Sequence, residues 1–232
     1  MKQTHLFLAT VLFSVVSVSG APETSDSKTS ASRSTEPERV RAAALNYGNN
    51  KTSTCYANHF LSQITKETNI RAHPEFQPVK LESNDIYNFP FSVMTGEGRF
   101  TLTDAQRQNM RNYLLRGGFI VASASCSSKP WIASFQTEIR RVFPDTKFEK
   151  LRVEHPVFHT VYDITYSRYT RGNAKLPHLE GLEVNGKIVL VWSPDGLNDT
   201  GNAGGNCCCC GGNEIKSAKK VNVNLLAYAL TH

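Results

Sequence analysis

The apolar positions of this chain change period several times, and each change marks an element. Arg41 to Tyr47 reads as a first strand, apolar at Ala42, Ala44 and Leu45 and closed by Gly48-Asn49-Asn50. From about Thr54 to Thr68 the period is helical: Tyr56, Phe60 and Ile64 recur every four residues, with Ala57 and Leu61 beside them. Val79-Lys80-Leu81 is a short strand, and Ser83 caps a helical turn reaching Asn88. Phe91 to Thr95 is the next strand and ends in Thr95-Gly96-Glu97-Gly98. Thr103 to Gln106 has the form of a capping box, opening a helix to Arg116 that buries Ala105, Met110, Tyr113 and Leu114. Gly117-Gly118 stops it.

Phe119 to Ala124 then runs apolar or small without polar alternation, as a strand buried on both faces does. It ends at Ser125-Cys126, and Trp131, Phe135, Ile139 and Phe143 form the buried stripe of a following helix that Pro144 ends. Phe148 to Pro177 has no clear period. Leu182 to Val184 and Lys187 to Trp192 flank Asn185-Gly186, a two-residue hairpin turn. The chain closes with a helix from about Glu214 that buries Ala218, Val221, Leu225 and Tyr228. Strands alternating with helices predict a three-layer α/β domain, a mostly parallel sheet with helices on both faces and a late antiparallel hairpin.

The first 39 residues do not fit that scheme. Met1 to Gly20 has a basic start at Lys2, an apolar run from Leu6 to Val18 and small residues at Ser19-Gly20-Ala21, as a secretory signal peptide does. The run is shorter than the roughly 20 residues of a spanning helix, so no transmembrane span is expected after its removal. Residues 21–39 are Ser, Thr, Pro and charge, a composition expected to form a disordered tether. The domain is thus expected over residues 40–232, in a secreted or periplasmic protein.

The net charge is +6. It suits polyanionic partners, and in an exported protein these are envelope polymers rather than nucleic acid. The basic residues are scattered, so a solvated basic face is the simpler reading.

Several stretches taken together resemble a bacterial domain-of-unknown-function family, number four-one-five-nine. They are Asn88-Phe89-Pro90-Phe91, Met94-Thr95-Gly96-Glu97-Gly98, Gly117-Gly118-Phe119 and Phe143-Pro144-Asp145. His155-Pro156-Val157-Phe158 and Asn222-Val223-Asn224-Leu225-Leu226 also fit. The resemblance covers roughly Arg41 to His232. It implies a flavodoxin-like sheet similar to class I glutamine amidotransferases, and no established activity.

That amidotransferase-like fold would seat a nucleophilic cysteine on a sharp strand-to-helix turn between small residues. Cys126 has Ala124 and Ser128 at those flanks, and the following helix would aim its positive end at the sulfur. The amidotransferases place His-Pro-Glu after the late hairpin strand, where this chain has Ser193-Pro194-Asp195. Serine cannot take a proton from a thiol near neutral pH. His178, in His178-Leu179-Glu180, and His155 are the substitute bases to consider.

Six cysteines behind a secretory leader suggest disulfides. Cys207, Cys208, Cys209 and Cys210 lie in a glycine-rich loop, and three readings of them compete: disulfides within the loop or to Cys55, a zinc or copper(I) thiolate site, and thiols open to partners.

Three functions follow. The first is a non-catalytic module binding an envelope ligand or protein partner around Gly96, Glu97, Ser125, Cys126, Ser193 and Asp195, with no cofactor. The second is a cysteine hydrolase of an envelope amide or ester, with Cys126 attacking and His155 or His178 as base. The third is a metal-thiolate or redox role for the cysteine loop.

Overall fold

The computed structural model of the chain describes residues 38–48, 56–199 and 214–232, all of which fall in one unit, Pro37–His232. The stretches expected to be a signal peptide and, nearly all of it, a tether lie outside the described residues, as do Cys55 and Cys207 to Cys210. Val40 already takes part in the fold, pairing with Ala72.

Seven strands form one sheet: β1 (Ala42–Asn46), β2 (Gln77–Lys80), β3 (Phe91–Gly96), β4 (Phe119–Ala124), β5 (Phe148–Lys150), β6 (Glu180–Val184) and β7 (Lys187–Ser193). Their order is β2-β1-β3-β4-β7-β6-β5. From β2 to β7 all pairs are parallel, while β6 runs antiparallel to β7 and to β5. The predicted α/β class and the late hairpin are therefore both present. The hairpin turn has both central residues left-handed, Asn185 at φ 53° and Gly186 at φ 77°, as a twisted two-residue turn requires.

Helices α1 (His59–Glu67) and α4 (Ala218–Thr231) cover one face, and α2 (Asp104–Leu115) and α3 (Lys129–Val142) the other. β4 sends Phe119 and Val121 into the first layer and Ile120 and Ala122 into the second. Burial on both sides is why that strand shows no alternation in sequence.

Helix ends follow local chemistry. Thr103 accepts from the amide of Gln106, whose side chain accepts in return from the amide of Thr103, completing the expected capping box. At the other end of α2 the Gly118 amide donates to Tyr113 and the Gly117 amide to Leu114, with Gly117 left-handed at φ 91°. This is the paired closure that favours glycine.

Three expectations need correction. Ala105 is exposed, and Gln106 and Asn109 are buried in its place. Gln106 is used by the cap, while Asn109 donates to the carbonyls of Leu81 and Ser83. The described part of the first helix starts at His59 after Asn58, so Tyr56 and Ala57 are buried ahead of it rather than on its stripe. The segment that reads as irregular holds β5, only three residues long, and a helical turn at Pro156–Phe158.

A candidate site at the carboxyl edge of the sheet

β3, β4 and β7 are neighbours, and their carboxyl ends come level: Gly96 lies opposite Ala124, and Ser123 opposite Ser193. The segments after them therefore converge, bringing Gly96-Glu97, Ser125-Cys126 and Ser193-Asp195 to one edge. Sequence order alone does not place β7 against β4, because β5 and β6 intervene in the chain.

The turn after β4 is tight. Cys126 sits at φ 54°, ψ 27° and Ser127 at φ 51°, a region that residues with a side chain seldom occupy. Two left-handed residues in succession let the strand feed α3 within four residues. Ser128 caps that helix, accepting from the amide of Trp131, and also accepts from the amide of Gly98. Ser125 is buried and shares a hydrogen bond with Thr95, 3.1 Å between the hydroxyls. The thiol of Cys126 donates to Glu97 Oε1 at 3.6 Å. The sulfur thus stands against a carboxylate, which opposes a second negative charge beside it. Cys126 is the one cysteine among the described residues.

Gly96 is set by packing beneath the turn. Trp131 Nε1 donates to the Tyr47 hydroxyl at 2.6 Å, and that hydroxyl donates to the Thr95 carbonyl at 2.9 Å. A methyl group on Gly96 would lie 2.9 Å from both Trp131 Nε1 and the Tyr47 oxygen. Burial pushes the Tyr47 hydroxyl far above its ordinary value, so it remains a protonated donor. Substituting Gly96→Ala is therefore expected to break this chain of bonds and lower stability by about 2 kcal/mol in denaturant unfolding.

The strand order reverses between β1 and β3, one strand over from Cys126. That reversal, rather than the end of β4, is the switch point at which an open α/β sheet forms its crevice. Tyr47, Phe100 and Trp131 fill it, with ring centroids 4.9 Å and 5.7 Å apart in sequence. Periodicity marks neither Tyr47 nor Trp131 as part of the site. The signal available is position: Tyr47 directly follows the first strand, at the same edge as Gly96.

Ser193 is fully buried. Its hydroxyl donates to the His178 carbonyl at 2.6 Å and accepts from the Asp195 amide at 3.1 Å. It fixes the backbone after β7. Asp195 lies 3.8 Å from Lys175, whose ammonium sits over the Tyr169 ring. Tyr169 is pushed up to about 12, first by burial and then by the charge of Asp195.

The two histidines separate. His178 shares a hydrogen bond with Glu180 at 3.0 Å, and Trp192 Nε1 donates to the other Glu180 oxygen. Because β6 is antiparallel, its start lies at the carboxyl edge, so this His-Glu pair shares the edge with Cys126. β7 stands between, which sets β6 and β4 about 10 Å apart. His155 accepts from the amide of Val157 and packs against Tyr228, 5.5 Å between ring centroids. Burial lowers its pKa, the nearby His232 lowers it further, and Glu183 acts in the opposite direction. Glu183 adjoins the hairpin turn, about 20 Å along β7 from the edge that holds Cys126. The structure therefore does not bring His155 to the sulfur.

Among the described residues no cluster of three or more His, Cys, Asp or Glu side chains could hold a metal ion, and no helix is long and apolar enough to cross a membrane. No curated protein matches the chain. A family described as domain of unknown function (DUF4159) matches it over residues 35–230, and the chain belongs to that family.

Proposed function

We propose that this domain is an exported, non-catalytic binding module that holds an envelope ligand or protein partner at the carboxyl edge of its sheet, around Gly96, Glu97, Ser125 and Cys126. The observation that carries this reading is Ser193. By the resemblance to the amidotransferases it stands for their histidine, and its hydroxyl is committed on both sides, to the His178 carbonyl and the Asp195 amide. A buried hydroxyl in that state accepts no proton from Cys126. Glu97 supports the same reading, since a carboxylate beside sulfur opposes the thiolate that a nucleophile needs.

The competing reading is a cysteine hydrolase, and one observation favours it. His178 is oriented by Glu180, itself anchored by Trp192, which is the form of a base with its orienting acid. The two readings divide on turnover. The purified chain, given a panel of peptide amides and activated aryl esters, is expected to release no more product than Cys126→Ser. Turnover abolished both by Cys126→Ser and by His178→Ala would make it a hydrolase.

A further inference from the structure

The segment between β5 and β6 holds two histidines whose rings are bonded in opposite senses. His155 caps the helical turn Pro156–Phe158, its Nδ1 accepting from the Val157 amide at 3.2 Å. An amide only donates, so that nitrogen must carry no proton, and a doubly protonated ring would set one N–H against another. His159, at the far end of the same turn, faces acceptors on both sides. Its Nδ1 donates to Asp163 Oδ1 and its Nε2 to the Val153 carbonyl, 2.5 Å in each case. Neither a carboxylate nor a carbonyl can donate, so the two bonds exist together only in the imidazolium.

The surroundings of each ring agree with its bonding. His155 packs against Tyr228 of α4. Burial first, then His232 just past the end of α4, hold its pKa below the ordinary histidine value, and Glu183 of β6 opposes them. The Val153 carbonyl first, then Asp163, hold the pKa of His159 above that value, and the charge of Glu154 acts the same way. The turn between the two rings reaches the core: Val157 and Phe158 are buried in the same layer as α4. Asn224 of α4 bonds to the backbone of Val157, Val161 and Tyr162, so the segment is held to that helix.

We propose that residues 153–163 form a pH-gated clasp on α4, closed while His155 is neutral and His159 is charged, and loosened when either ring changes its charge. It does not involve Cys126, so it stands or falls independently of the reading above. A histidine whose pKa folding lowers contributes stability above its unfolded value and loses it as pH falls, which is the case of His155. One whose pKa folding raises contributes below that value and loses it as pH rises, which is the case of His159. Both start from an unfolded value of about 6.5, so the clasp is tightest there. The test is amide exchange of the purified chain, read by mass spectrometry as protection factors at about pH 5, 6.5 and 8.5. Peptides within residues 153–163 are expected to be protected most at the middle pH and at least about threefold less at either extreme, whereas a peptide from α2 shows no such maximum. His155→Asn, which can still cap the turn but does not titrate, is expected to remove the acid limb, and His159→Gln the alkaline limb. Proton resonances of the two rings are expected to titrate with His159 above His155. Protection that is flat or follows α2, a maximum that survives both variants, or His159 titrating below His155 would each overturn the proposal.

Discussion

Replacing Asn224 with alanine is expected to cost the domain about 4 kcal/mol and lower its melting temperature by about 10 °C. Asn224 is on α4 and fully buried. Its side-chain oxygen accepts from the amides of Val161 and Tyr162, and its nitrogen donates to the carbonyls of Val157 and Tyr162. All four bonds go to backbone of the segment between β5 and β6, which has little regular structure to satisfy its own polar groups. Alanine would leave two amides and two carbonyls unpaired beneath the helix. Each such group costs about 1–3 kcal/mol, and partial entry of water recovers some of the sum. Asn222, two residues earlier on the same helix, accepts from Tyr56 and donates to the Leu197 carbonyl, so Asn222→Ala is expected to cost about half as much. A loss below about 1 kcal/mol for Asn224→Ala in denaturant unfolding would show that the segment does not depend on this side chain.

Gly118→Ala is expected to destabilise by about 3 kcal/mol, while Gly117→Ala next to it costs only about 1 kcal/mol. A methyl group on Gly118 would fall 2.2 to 2.5 Å from three ring atoms of Tyr113. That ring cannot step aside. It is buried, and its hydroxyl donates to the Phe89 carbonyl at 2.8 Å and touches Ser92 and the Phe119 carbonyl. Gly117 is left-handed at φ 91°, and a methyl group there would meet nothing within 4 Å, so its substitution faces backbone strain alone. Shortening the ring should relieve the clash: Gly118→Ala combined with Tyr113→Leu is expected to cost clearly less than the sum of the two changes. Additive costs would mean that the glycine is needed for some other reason.

Those residues also show what is legible in the sequence. The run from Phe119 to Ala124 announces a central strand, because a strand covered on both faces has no polar side to reveal. The Asn185-Gly186 turn and the Thr103 capping box announce themselves because each needs particular residues at fixed offsets. β5 stays hidden: three residues, two of them exposed, carry no period. Ala105 is misplaced when hydrophobicity is read without hydrogen bonding, because the amides of Gln106 and Asn109 have better use for the interior. Cys126 and Glu97 can be named from the strand ends, but their contact cannot. Which strands lie side by side is a long-range fact, and it is the parallel pairing of β7 with β4 that turns the legible hairpin so that β6 starts at the edge of the site and carries His178 there. Ser193 shows the limit from the other direction. Its identity says only that a hydroxyl follows β7, and the fold gives that hydroxyl its partners.

The account rests on a sulfur held in a shaped turn against a carboxylate rather than an imidazole. The direct test is the rate of iodoacetamide alkylation of Cys126 across pH, followed on its own peptide by mass spectrometry. The expected rate climbs through the alkaline range with no plateau below neutrality, is unchanged by His178→Ala, and rises near neutral pH in Glu97→Gln. A plateau in the acid range that His178→Ala abolishes would contradict the account and identify Cys126 as an activated nucleophile.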